Sequence, residues 1–112
     1  MDNIEFNIAK EYSRCPGARY KAEGDFAGEE FRDDYLVPLL KKAIEQGVNL
    51  VIILDGSAGY STAFLEEAFG GLIRVCKMDY GQIMNTIRFV SDEDPTYIDD
   101  INAYLKDAYE HS

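Results

Sequence analysis

One short run constrains the fold of this chain more than any other. Val48 to Leu54, VNLVIIL, is almost continuously apolar and is bounded by Gly47 on one side and Asp55-Gly56 on the other. Its brevity and its β-branched content read as a central strand covered on both faces. The next stretch, Asp55 to Leu65, DGSAGYSTAFL, turns the chain into the clearest helix of the sequence. Phe64, Leu65, Ala68, Phe69, Leu72 and Ile73 fall on one face of that helix. Gly70-Gly71 lies inside it at a cost in helix stability, which predicts a very close neighbour there.

The rest of the chain repeats the alternation. Ile4, Phe6 and Ile8 alternate with polar residues, the period of a half-buried strand. A glycine- and proline-bearing loop follows, with room for a short strand around Arg19 to Lys21. From Glu29 the spacing of Phe31, Tyr35, Leu36, Leu39, Leu40 and Ala43 is helical, with acids early and Lys41-Lys42 late as the macrodipole favours. Pro38 must kink this helix or start a second segment, because it lacks an N–H. Gly47 is placed to cap its end. Ile87 to Val90 reads as another strand, and Asp94-Pro95 as the N-cap and first residue of a last helix with Ile98, Ile101, Leu105 and Ala108 inside. Strands alternating with helices predict an α/β domain with a mostly parallel sheet, right-handed crossovers and three main helices.

At 112 residues the chain suits a single domain spanning 1–112, and 46% hydrophobic residues are enough for a packed core. Acids outnumber bases 21 to 11, a net charge of −10, which opposes direct contact with nucleic acid or anionic membrane and keeps a protein dispersed. Cys15 and Cys76 have no metal-ligand or redox spacing and are expected to be reduced and partly buried. The first residues carry acids and no apolar core of a signal peptide, and no apolar stretch is long enough to span a bilayer. The expected location is cytoplasmic.

The residue types exclude several chemistries. The only histidine is His111, next to the last residue, so a serine or cysteine nucleophile lacks a well-placed base. No metal site and no cofactor is expected from these spacings. The loop after the central strand stands where a phosphate loop would, but it has no lysine, and Gly56-x-x-Gly59 is not a dinucleotide fingerprint. Asp55, at the carboxyl end of the strand, reads as a turn former before it reads as a catalyst. Tyr97, Tyr104 and Tyr109 read as half-buried packing on the last helix. Ser61 has two readings: an N-cap for the helix, or a phosphorylation site whose phosphate would meet free N–H groups and the positive end of the dipole. Arg19 likewise reads as a salt bridge to Glu29 or another acid, or as the cation of a small anionic ligand site shared with the Gly56–Thr62 loop.

The residues also carry a family resemblance. CPGARY at Cys15 to Tyr20, Gly24, GEEFRDD from Gly28 and DGSAGYSTAFLEEAFGGL from Asp55 to Leu72 resemble a STAS-like family of unknown function (DUF4325). Ala18 and Ala27 depart from its usual glycine and serine. The resemblance implies a more distant similarity to STAS anti-sigma-factor antagonists, with four to five strands, mixed but mostly parallel, backed by helices on one face. In those proteins a partner kinase phosphorylates the first serine of D-S-S-G-L. Overlaid here, Tyr60 takes the aspartate, Ser61 the phosphoacceptor, Thr62 the second serine, Ala63 the glycine and Phe64 the leucine. The expected function is a regulatory module, more a binder than an enzyme. It would dock a protein partner, such as a GHKL-type kinase or ATPase, through Asp55, Gly56, Gly59, Tyr60, Thr62 and Phe64, with Ser61 as the switch.

Overall fold

The computed structural model describes residues 3–112. Three strands lie side by side in chain order, all parallel: β1 (Ile4–Asn7), β2 (Leu50–Ile53) and β3 (Ile87–Val90). A four-residue helix α1 (Ile8–Glu11) follows β1 directly. Helix α2 runs over 28–46 and α3 over 62–74. Helices α4 (Tyr80–Thr86) and α5 (Thr96–Glu110) flank β3. The sheet among the described residues is therefore three-stranded and wholly parallel, not four- to five-stranded and mixed. The segment around Arg19 to Lys21 supplies no strand; a single 3₁₀ turn (Lys21–Glu23) stands there, and its Glu23 carboxylate accepts the Arg19 and Tyr20 N–H groups.

Register sorts the strand residues into two faces. Ile4, Leu50 and Ile87 align across the sheet, as do Phe6, Ile52 and Phe89, and this set faces the core. Glu5, Val51 and Arg88, with Asn7, Ile53 and Val90, make the other face. Leu50 and Ile52 are fully buried, whereas Val51 and Ile53 are half-buried and Glu5 and Arg88 exposed. So β2 is covered on one face only. Right-handed crossovers that advance from β1 to β2 to β3 place the intervening helices on the same side, which leaves the opposite face open.

Both outer strands have side-chain guards. Ile4 N–H bonds to Asn49 O and Leu54 N–H to Val90 O, so Glu5, Asn7, Ile87 and Phe89 direct their backbone groups away from β2. The Glu11 carboxylate accepts Asn7 N–H at 2.8 Å. Ile87 N–H is taken by Ile83 O, and Ile87 C=O accepts from the Arg88 guanidinium at 2.9 Å. Occupied edge groups cannot template another strand.

The core lies between the sheet and α2, α3 and α5. Phe31, Phe64 and Phe69 are fully buried there, each worth about 2–3 kcal/mol in removed apolar surface. Both α2 and α3 contain a π segment, Arg32–Leu36 in one and Glu66–Gly70 in the other. Pro38 falls at the second residue of the α segment that follows the first π segment, and helical dihedrals continue through Leu36 and Val37. The wider turn, with Val37 N–H on Arg32 O, precedes the proline whose own N–H is missing. Gly47 ends α2 in the left-handed region, φ 68°, with its N–H on Ala43 and Ile44 carbonyls.

Three smaller expectations shift. Helix α5 starts one residue later than Asp94-Pro95 suggested: Pro95 is the cap, and the Asp94 carboxylate still accepts Thr96 N–H at 3.1 Å. Cys15 is exposed, not partly buried, and Cys76 is half-buried; neither is in a disulfide. Tyr97 and Tyr104 are half-buried, but Tyr109 is 53% exposed and stacks on Tyr80 at 4.6 Å. Among the described residues no helix is long and apolar enough to cross a membrane.

Candidate functional site

The loop between β2 and α3 is fastened on three sides. The Asp55 carboxylate accepts Asp92 N–H and Glu93 N–H at 3.2 and 2.9 Å, and Glu93 returns a carboxylate oxygen to Gly56 N–H at 2.7 Å. This reciprocal clamp ties the loop to the segment after β3. Asp55 thus acts as a turn-holder, with its oxygens committed to backbone amides. Ala58 N–H bonds to Arg14 O at 2.8 Å, which joins the loop to the segment after α1. Gly56 and Gly59 carry φ of 91° and 144°, values that disfavour any side chain and explain the glycines.

Tyr60 and Phe64 point inward. Tyr60 is 9% exposed, its hydroxyl donates to Leu54 O at 2.9 Å, and its ring stacks on Phe64 and meets Tyr97 edge-on at 5.2 Å. Burial pushes the Tyr60 hydroxyl up to about 12. Tyr60 is thus a strut of the core and not an exposed side chain of the loop. Phe64 is fully buried among Tyr12, Phe31 and Tyr60. The exposed surface of the loop is left to Gly56, Ala58 and Thr62, with Ser61 half-buried beside them.

Ser61 occupies the N-cap of α3, with extended backbone at φ −74° and ψ 152°. Its oxygen accepts Phe64 N–H at 3.0 Å, and its hydroxyl donates to Gly17 O at 2.8 Å. One side chain therefore caps the start of the helix and helps hold the Cys15–Tyr20 segment against it. Thr62 and Ala63 N–H groups have no acceptor among the described residues.

Arg19 does not pair with Glu29, whose carboxylate takes Lys21 N–H. Its guanidinium lies 2.5 Å from Glu66 and 3.4 Å from Glu67. Arg74 reaches the same two carboxylates at 2.7 and 3.3 Å, and Arg32 meets Glu67 at 2.5 Å. Arg32 and Glu67 are each only 3% exposed. A cluster of three arginines and two glutamates thus joins α2, α3 and the Arg19 loop, and the Arg19 guanidinium is part of it. Burial alone would raise the Glu66 carboxyl, but Arg74 and Arg19 outweigh it and hold it below the usual range.

This cluster was not found by reading for catalysts, although the sequence marks it. Gly70-Gly71 predicts a close neighbour, and the neighbour is Arg32: a Cβ on Gly71 would stand 2.5 Å from its Nη1. Gly28 admits the second close approach, since a Cβ there would meet Phe64 O at 2.5 Å. Among the described residues no group of three or more His, Cys, Asp and Glu side chains is placed to hold a metal ion. Recesses of about 240 and 300 Å³ open elsewhere, one against Ile83, Ile87 and Leu105 and one against Ile73, Tyr80 and Tyr109.

A family model described as a STAS-like domain of unknown function (DUF4325) matches residues 27–96, which include α2, β2, the Ser61 loop, α3 and β3. No curated protein and no solved structure matches the chain.

Proposed function

We propose that this chain, which belongs to the family of STAS-like domains of unknown function, is a regulatory interaction module that docks a protein partner through the Gly56–Thr62 surface and the start of α3. The partner class is a GHKL-type kinase or ATPase, and Ser61 is the switch. The observation that carries this reading is the pair of hydrogen bonds made by Ser61, accepting from Phe64 N–H and donating to Gly17 O. Phosphorylation removes the hydroxyl proton that Gly17 O accepts and adds bulk at that contact. The new charge meets the Thr62 and Ala63 amides and the positive end of the helix. The helix therefore keeps its cap while the Cys15–Tyr20 segment loses one tie and keeps those made by Ala18 O and Arg19.

The test uses affinity capture of the tagged protein from its native cells, with quantitative mass spectrometry. Thr62 is exposed, so Thr62→Arg alters the docking surface without touching the core. A GHKL-type ATPase enriched by the wild type and lost with Thr62→Arg, together with phosphate on the Ser61 peptide, is the expected result. Identical captures by both proteins and an unmodified Ser61 would overturn the reading. Phe64→Asp is unsuitable, because Phe64 is core and its loss tests folding.

A further inference from the structure

A second surface lies on the α1–α2 side of the molecule. Phe26 is 44% exposed and its backbone sits in the left-handed region at φ 57°. That conformation costs a residue with a side chain about 1–2 kcal/mol. The ring is not buried in return; it rests edge-on against Tyr12 at 5.4 Å. Tyr12 packs on Tyr35 at 5.2 Å, and Tyr35 is 37% exposed. The three rings form one continuous aromatic strip at the surface.

The strip is set in negative charge. The Tyr12 hydroxyl donates to Glu30 Oε1 at 2.6 Å, and Asp34 lies close enough to add to the field on that hydroxyl. Among the described residues neither Glu30 nor Asp34 is in an ion pair. Aromatic faces beside unpaired carboxylates suit a planar cation, which stacks on the rings and hydrogen-bonds the acids together. We propose that the Phe26–Tyr12–Tyr35 strip is a docking surface for an arginine-bearing segment of a partner protein. A guanidinium fits it better than an ammonium, because only the guanidinium offers both a flat face and a fork of donors. This surface shares no exposed residue with the Ser61 loop, so each stands or falls separately.

The probe is a short fluorescent peptide alternating Leu and Arg, compared with the same peptide carrying Lys or citrulline in place of Arg. Binding is read by anisotropy near physiological salt, and amide shifts locate the site. Phe26→Gly and Tyr35→Ser both leave the net charge at −10, so bulk attraction to an acidic protein is unchanged. Phe26→Gly also relieves the left-handed backbone and carries the test even where Tyr35→Ser fails to fold. The expected result is an Arg peptide bound at least about tenfold more weakly by Phe26→Gly, about 1.4 kcal/mol, with weaker binding of the Lys and citrulline peptides and shifts at Tyr12, Phe26 and Tyr35. Equal affinity of wild type and Phe26→Gly, equal affinity for Lys and Arg peptides, or no binding of the Arg peptide would each overturn the proposal.

Discussion

Neighbouring glycines in α3 should respond differently to the same substitution. In a helix interior Ala is favoured over Gly by about 1 kcal/mol. At Gly70 the new Cβ would approach Glu66 Oε2 at 2.7 Å, the end of a side chain that is partly exposed and can swing. Gly70→Ala should therefore fall within about 1 kcal/mol of wild type. At Gly71 the Cβ would stand 2.5 Å from Arg32 Nη1 and 3.0 Å from its Cδ. Arg32 cannot step aside: it is 3% exposed, bonded to Glu67 Oε2 at 2.5 Å and to Asp33 at 2.9 Å. Overpacking of this kind costs about 1–3 kcal/mol. Expelling the guanidinium would cost about 3–5 kcal/mol by stranding a buried carboxylate. Arg19 and Arg74, at 3.4 and 3.3 Å from Glu67, keep the loss toward the lower end of these ranges. After the propensity gain of about 1 kcal/mol, Gly71→Ala should lose up to about 2 kcal/mol. Urea unfolding followed by circular dichroism reads this as a lower midpoint with an unchanged slope. In an Arg32→Met background the steric part of the penalty should shrink, a coupling that a double-mutant cycle measures. A Gly71→Ala protein as stable as Gly70→Ala would refute the argument.

Three further perturbations test other parts of the structure. Tyr60→Phe removes the bond to Leu54 O and should cost about 1 kcal/mol at neutral pH. Because the folded hydroxyl is raised to about 12, its contribution is complete below the unfolded value near 10 and is lost as pH climbs between the two, so Tyr60→Phe should show a shallower alkaline fall in midpoint. Glu66 has a depressed carboxyl, so its contribution is present above the unfolded value of about 4.3 and disappears as pH drops through the lower folded value; Glu66→Gln should flatten the acid limb of the stability profile. Glu11→Ala combined with Arg88→Ala uncovers one backbone group on each outer strand at unchanged net charge. Sedimentation velocity should then show self-association strengthened about tenfold, and an unaltered monomer would count against the guarding role.

Much of the helical layer can be read from residue spacing. The inner faces of α3 and α5, that of α2 apart from the exposed Tyr35, the Gly47 cap and the Ser61 cap all follow local rules, and the structure has them. What spacing missed depends on partners distant in sequence. VNLVIIL looks the same whether one face or both are covered, because half-buried Val51 and Ile53 are as apolar as buried residues. Helix α4 went unnoticed because Gly81, Asn85 and Thr86 are poor helix formers, though Asp79 caps it by accepting Gln82 N–H at 2.9 Å. The Arg32–Glu67 pair does not show in the spacing, because Arg and Glu at helical positions face water far more often than core. Gly70-Gly71 was the visible sign of it. At the Ser61 loop the sequence located the cap, but not that the hydroxyl proton goes to Gly17 O, since that contact joins segments with no shared pattern.

The two π segments carry a consequence for chain length. A π turn takes up one residue more than an α turn, and each residue of an α-helix advances by about 100°. Losing the extra residue from Arg32–Leu36 would give a regular helix whose two halves keep their phase, so Leu40 and Ala43 would stay in the core. One residue lost from Glu66–Gly70 would likewise leave Leu72 and Ile73 inside. These helices are counted as well as spelled: a single-residue deletion should be tolerated best at the two widened turns, whereas a deletion elsewhere in either helix turns everything beyond it by about 100°.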